Sequence, residues 1–275
     1  MDERGVGRPP RSFLRSEADA RRYQRHGVAY MLAIHAALGV AMTGAVSVWA
    51  MAPLIVVAYG RGALLTHELM HVRRPERVTW LLRMMMLFET PLGLGYREHQ
   101  AIHLRHHQRP ATETDPEFFQ IRGGSIRALA AAMLGSELAA VRWVAAHGIS
   151  PSLRREASVR ALVMLGLAAV APAVFLGYWV VLRLTVGVSN FMFHHVLHYR
   201  RRPRRDGGPR GEYGTFPLRL PRVLDGALRL VLSAPLAAVL SEHDAHHTWP
   251  QVKPERLRGL LRSFPPRSSV AEVTP

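Results

Sequence analysis

The sequence contains no cysteine. That one absence excludes disulfide scaffolds, iron–sulfur clusters, thiolate zinc sites and cysteine nucleophiles together. It also removes redox chemistry as a guide to the compartment. Lysine is nearly absent as well: Lys253 is the only one among 36 basic residues, and the rest are Arg. No helix-turn-helix, zinc-finger or RNA-recognition pattern is visible, so the net charge of +16 does not read as nucleic-acid binding. The chain is 48% hydrophobic, too apolar for a disordered basic tail. Its 275 residues allow one large domain or two small ones.

Charge is missing from two long runs. Residues 28–60 carry no Asp, Glu, Lys or Arg, and residues 161–193 carry only Arg183. A run of this length is about 50 Å as a straight helix, against a hydrocarbon core of about 30 Å. Each run is too long for one upright crossing and slightly short for two. Two crossings become feasible if the second helix of the first run continues past Arg61 towards Thr66, with Arg61 snorkelling to the interface. The turns are expected near Gly44 and Pro172. Buried helices of a soluble protein are the weaker reading, because uncharged runs this long are uncommon in soluble cores.

The Arg distribution supports the membrane reading. Seven Arg lie in 1–27, thirteen in 67–160 and thirteen in 200–275. All three regions belong on the cytoplasmic side, which requires each run to cross an even number of times. The expected fold is therefore an all-α membrane protein of two transmembrane helical hairpins (four spans) with a cytoplasmic helical cap. Residues 1–27 read as a basic cytoplasmic arm rather than a secretory signal, 28–262 as the membrane domain and 263–275 as a tail. Further helices are expected over 78–92, 126–147 and 223–240, on the membrane surface or against the cap. The segment 200–212 reads as a loop, and no strand pattern persists.

The 15 histidines are not scattered. They gather as HELMH (His67, His71), HLRHH (His103, His106, His107), NFMFHHVLH (Asn190, His194, His195, His198) and HDAHH (His243, His246, His247). Residues three and four apart share a helix face, so each cluster projects imidazoles to one side. Imidazole suits Fe, Zn, Cu and Ni. One HxxxH means little, but four such clusters in one chain are not a chance pattern. Single members such as His26, His35 and His147 read as ordinary surface or core histidines. Only paired crossings put all four clusters in one compartment, which agrees independently with the Arg distribution. Eight or more imidazoles are too many for one tetrahedral ion and point to two metals. An all-nitrogen set favours redox-active iron over Mg or Ca.

HxxxH, then HxxHH, then a final HxxHH, interleaved with two hydrophobic hairpins, resembles the membrane fatty acid desaturase and hydroxylase superfamily across roughly residues 28–262. HLRHHQRPATETDPEFF is similar to that family's second box and its downstream Asp-Pro step, here Asp115 and Pro116. HDAHHTWPQVKPERL is similar to the final box. The resemblance implies a non-haem di-iron centre that uses dioxygen and two electrons to attack an unactivated C–H bond of a lipid. Carried over by position, its ligands are His67, His71, His103, His106, His107, His243, His246 and His247, plus His194. Asn190 and His194 fit an Asn-x-x-x-His step in which the Asn contacts a metal through water. His198 also fits HxxxH, so the ninth ligand lies between His194, which the spacing favours, and His198, with His195 the weakest of the three. Glu68, Asp115 and Asp244 are candidates to orient ligand imidazoles. His99 reads as a supporting or surface residue.

The leading expectation is an oxygen-dependent acyl desaturase; the alternatives are a carotenoid ketolase or hydroxylase, or an alkane hydroxylase. Trp49, Trp80, Trp143, Trp179 and Trp249 are candidates to line a substrate tunnel, with interfacial anchoring the better reading for most. No flavin, haem or dinucleotide motif is present, so electrons must come from a separate ferredoxin, b-type cytochrome or reductase. A bacterial inner membrane is the expected location, with the metal site and both termini cytoplasmic. A His-rich metal transporter is the non-enzymatic alternative. It is disfavoured because the clusters lie at or beyond the ends of the runs.

Overall fold

The uncharged run 28–60 is shared by two helices, with Gly44 at the turn between them. In the computed structural model, which describes residues 8–71, 89–203 and 209–263, the first helix, α1 (Glu17–Met42), already starts inside the basic arm. Ser16 and Asp19 form a reciprocal capping box there, each side chain accepting the other's backbone N–H. Gly44 has φ +76°, a conformation that glycine adopts without strain. Helix α2 (Val48–Met70) then packs back on α1. A Cβ at Gly62 would lie 2.5 Å from Met31 Cε and 3.4 Å from Tyr30 Cβ, so the two helices pack closely at this glycine.

The second run divides in the same way. Helices α7 (Pro151–Val170) and α8 (Pro172–Asn190) are separated at Ala171 (φ −144°, ψ 70°), where Pro172 cannot donate into the preceding helix. Arg160 of α7 donates to the carbonyls of Gly93 and Leu94, and Trp179 of α8 donates to that of Glu89 at 2.8 Å. Both helices thus return to one short segment. Helix α8 buries Tyr178, Leu182 and Val186 against Ile34, Leu38, Ile55 and Tyr59 of α1 and α2. Among the described residues two helices, Val48–Met70 and Pro172–Val196, are long and apolar enough to cross a membrane, or three spans if the bent pair Ser125–Met133 and Gly135–His147 is taken as one, against the four expected. Large apolar residues stay exposed on α1, α2, α7 and α8, among them Leu32, Leu54, Leu162, Leu165, Leu176 and Leu184. Outward-facing apolar surface of this extent is what a lipid environment covers.

The intervening segments differ from their sequence pattern in several places. After a single-turn helix, α4 (Phe118–Ile121), residues 126–147 form two helices, α5 (Ser125–Met133) and α6 (Gly135–His147), bent by 74° at Leu134. Glu137 of α6 pairs with Arg183 at 2.6 Å, which satisfies the only charge of the second run. Residues 223–240 are likewise two helices, α9 (Arg222–Leu232) and α10 (Ala234–Ser241), split at Ser233 (φ +76°) just before Pro235. Arg61 does not extend alone to the interface. It donates to the carbonyls of Val231 (2.6 Å) and Leu230 (2.9 Å) at the C-terminal end of α9. The expected loop 200–212 contains an antiparallel hairpin, β1 (Tyr199–Pro203) and β2 (Pro209–Tyr213), with Tyr199 opposite Tyr213 and Arg200 opposite Glu212. Alternation of aromatic and oppositely charged pairs outweighs the loop-like composition. Most of the candidate helix 78–92 lies outside the described residues, and its described end, 89–92, is turn and coil.

A second core joins the end of α2 to α3 (Tyr96–Gln108) and to the C-terminal helices α11 (His243–Thr248) and α12 (Pro254–Ser263). It is built on Leu64, Leu69, Tyr96, Leu197, Val239, Trp249, Leu257 and Leu260. The arm is bound into this core: Leu14 bridges Val252, and Arg15 N donates to Gln251 O at 3.0 Å. The histidine clusters lie where the two cores meet.

Candidate metal centre

Four segments bring their imidazoles together. His67 and His71 end α2, His103, His106 and His107 lie on the last turns of α3, and His243, His246 and His247 make up half of α11. The last segment comes directly after α8, where Phe191–Val196 form a π-helical stretch. Such wide turns inside helices are frequent at functional sites.

The rings fall into two groups. His67, His71, His103 and His107 each offer a nitrogen within 4.8 Å of the others, and the His246 ring sits 4.8 Å from His67 and 5.0 Å from both His71 and His107. His106, His198 and His247 form the second group, and His243 Nε2 lies 3.0 Å from His198 Nε2. His107 and His247 stack at 4.0 Å and join the two groups.

These residues fit metal ions. Two nitrogens bound at about 2.1 Å and at right angles on one ion stand about 3 Å apart. His71 and His103 Nε2 are 3.1 Å apart, and the His198–His243 pair repeats that spacing. Both ring nitrogens of His107, His246 and His247 are buried without a hydrogen-bond partner. So many unpaired imidazole nitrogens are costly unless something binds them. Burial and the neighbouring imidazoles push His71, His103, His107, His198, His243, His246 and His247 well below the usual histidine range, which leaves them neutral and able to ligate. His106 goes the other way: burial opposes its charge, but the Asp115 hydrogen bond and the Glu117 and Asp115 charges raise it.

Carboxylates and carbonyls orient several rings. Asp115 accepts from His106 Nδ1 at 2.7 Å, and also from the backbone N–H groups of Ala111 and Glu117, both at 2.8 Å. His106 therefore turns Nε2 to the second group. His198 Nδ1 donates to Gly214 O at 2.8 Å, with the same result. Glu68 is fully buried; it faces His67 Nδ1 at 3.2 Å and is bound by Arg15, whose Nε lies 2.9 Å from Oε2. Asp244 makes no side-chain hydrogen bond to an imidazole among the described residues.

The π-helical stretch decides how the third cluster is placed. His198 points into the second group, whereas His194 lies beside Glu117, with Nε2 3.7 Å from Oε1. His195 turns away: it donates from Nδ1 to Ile121 O at 2.8 Å and stacks between Phe191 and Tyr199. Asn190 donates to Ala132 O at 3.4 Å. His35 and His147 bond the carbonyls four residues back, and His26 is exposed.

Two residues near the centre carry no ligand spacing that would mark them in the sequence. Arg15 lies in the arm, far from any box. Glu117 touches both His194 and His106, the latter at 3.8 Å, and burial raises its carboxyl to about 7. Its position two residues after Asp115 was the available signal. His99, read as a supporting or surface residue, lines a cavity over the imidazoles; burial lowers it to about 4.

That cavity has a volume of about 130 Å³. Its wall combines His67, His103, His107, His194 and His243 with Met31, Ala63, Met70 and Phe193. No described tryptophan lines it: Trp49 is exposed, Trp143 stacks on His147, Trp179 bonds Glu89 O and Trp249 is buried in the second core.

No curated protein and no solved structure matches the chain. The model of the fatty acid desaturase family matches residues 44–271, which takes in all four histidine clusters, about half of the first long run and all of the second. The chain belongs to the fatty acid desaturase family.

Proposed function

We propose that the protein is an oxygen-dependent di-iron oxidoreductase that attacks unactivated C–H bonds of a lipid, and that it desaturates acyl chains. The observation carrying this reading is the double group of buried imidazoles beneath a partly apolar cavity. One iron is held by His67, His71, His103, His107 and His246. The other is held by His106, His198, His243 and His247, with His198 rather than His194 as the ninth ligand. The irons, when bound, supply the oxidising power by activating dioxygen.

The chain's own residues do the rest. Asp115 and Gly214 O fix the tautomers of His106 and His198, and Glu68 steadies His67. Met31, Ala63, Met70 and Phe193 give a chain apolar contact beside the imidazoles and exclude water. Glu117, whose pKa of about 7 lets it hold or release a proton near neutrality, stands between His106 and His194. The electrons come from a separate redox protein, since no cysteine or cofactor-binding motif occurs in the chain. We place α1, α2, α7 and α8 across a bacterial inner membrane, with the metal centre and the three Arg-rich regions on the cytoplasmic side.

The test is expression in a host supplied with a ferredoxin and its reductase, followed by lipid and pigment profiling. New double bonds in acyl chains are the expected result. Oxygenated carotenoids or alcohols would replace desaturation by ketolation or hydroxylation on the same centre. An iron-loaded protein that changes no lipid or pigment would contradict the reading.

A further inference from the structure

The basic arm reaches the first imidazole group through one side chain. That of Arg15 is 6% exposed, and its guanidinium bonds in two directions. Nε and Nη2 both donate to Oε2 of Glu68, the residue after His67 in the first cluster. Nη1 donates to Pro250 O at 2.5 Å and Nη2 to Val252 O at 3.3 Å, just beyond the fourth cluster. The backbone around Arg15 is fixed as well. Arg15 N donates to Gln251 O and Lys253 N to Phe13 O, both at 3.0 Å. One guanidinium thus ties the first cluster to the segment that follows the fourth.

What it holds is a carboxylate that faces ligands. With Oε2 taken by Arg15, Glu68 presents Oε1 to His67 Nδ1 at 3.2 Å, and His246 Nδ1 lies 3.9 Å from the same oxygen. A hydrogen on His67 Nδ1 directed at Oε1 leaves Nε2 for a metal. Glu68 is fully buried, so protein contacts set its orientation. The second group is served separately, by Asp115 and Gly214 O. We infer that Arg15 is a positioning residue for the metal of the first group: it fixes Glu68 and, through Glu68, the ring of His67. The planar fork matters, because a Lys at this position keeps the charge but gives up the two-point contact that sets the plane of the carboxylate. Arg15 lies outside residues 44–271, so the family match assigns it no role. The inference rests on reading the imidazoles as a metal centre and adds a part of that centre supplied by the arm.

The test is a metal titration of the purified full-length protein against a competing chelator, with Fe(II) and, separately, Zn(II). Wild type should bind two equivalents of iron. Arg15→Lys should weaken one equivalent about tenfold and leave the other within about threefold. His71→Ala removes a first-group ligand, and on the equivalent that this variant retains Arg15→Lys should have no effect. In a Glu68→Ala background Arg15→Lys should add nothing, because the two residues act in series. Glu255→Gln breaks another tie of the arm, the 2.8 Å pair with Arg22, and should leave both equivalents unchanged. An equal loss at both equivalents, no loss at either, an undiminished effect without Glu68, or the same loss from Glu255→Gln would each overturn the inference and leave Arg15 a clasp for the fold alone. Thermal melts check that each variant folds. If Arg15→Lys does not, Glu68→Gln takes its place, with the same selective loss expected. A wild type that binds zinc but no iron removes the di-iron reading alone, and the zinc titration then decides the role of Arg15. A wild type that binds neither metal contradicts both.

Discussion

Asp115 makes three hydrogen bonds, and one of them sets which nitrogen His106 presents to the second group. Loss of an orienting partner of this kind typically costs ten- to a hundredfold in metal affinity. Asp115→Ala should therefore lower metal affinity by about that factor in a competition titration, with Asp115→Asn less affected because it keeps an acceptor oxygen. Arg15 has a different task. It neutralises Glu68, which has no exposed surface, so Arg15→Met leaves a buried charge without its partner. That change should destabilise the protein by about 3 kcal/mol in chemical denaturation, and Glu68→Gln should restore much of the loss. Glu89 gives a pH dependence. Burial raises its carboxyl to about 7, so between about pH 4.5 and pH 7 the folded protein keeps a proton that the unfolded chain has released. Stability from this group is therefore lost as pH rises through that window and is level above it. The thermal midpoint of Glu89→Gln relative to wild type should accordingly increase from pH 5 to pH 8; a pH-independent difference would show that Glu89 is not the group responsible.

At the scale of elements, the π-helical stretch Phe191–Val196 is where regular-helix spacing and the structure place the third cluster differently. Read as a regular helix, Asn190 and His194 share a face and His194 takes the ninth position. The wider turn rotates the residues beyond it, and His198 meets His243 instead. His198→Ala should remove about one iron per chain, whereas His194→Ala should retain both; the reverse order by metal analysis would return the ninth position to His194. The eight box histidines were legible because i, i+3 and i, i+4 spacing on ordinary helices fixes their common face. Gly44 and Pro172 were legible as breaks because each has a backbone reason to interrupt a helix. The bend at Leu134 was not, since the apolar pattern continues through it, whereas the break at Ser233 carried a proline signal, Pro235, that reading 223–240 as one helix passed over. Arg15 and Glu117 were illegible for another reason: their roles come from tertiary contacts, one of them 53 residues distant in sequence.

Across the whole molecule, charge, apolar surface and imidazoles are arranged together. Two membrane-length helices among the described residues carry His67 and His194 near their C-terminal ends, and α3 and α11 bring the histidines of the second and fourth clusters beside them. The arm and the segment after the final box are joined through Leu14, Arg15, Gln251 and Val252, next to the same centre. Arg183 paired with Glu137, and Arg61 seated on the end of α9, show that charges next to the long helices are bonded rather than left in lipid. The +16 charge, most of it in three Arg-rich regions flanking the runs, is consistent with the membrane orientation proposed above. The most direct test of a di-iron centre is metal analysis of the purified full-length protein after growth with iron. Two irons per chain, reduced to about one or none by His106→Ala, are predicted. A protein that retains a single zinc and no iron would contradict the assignment.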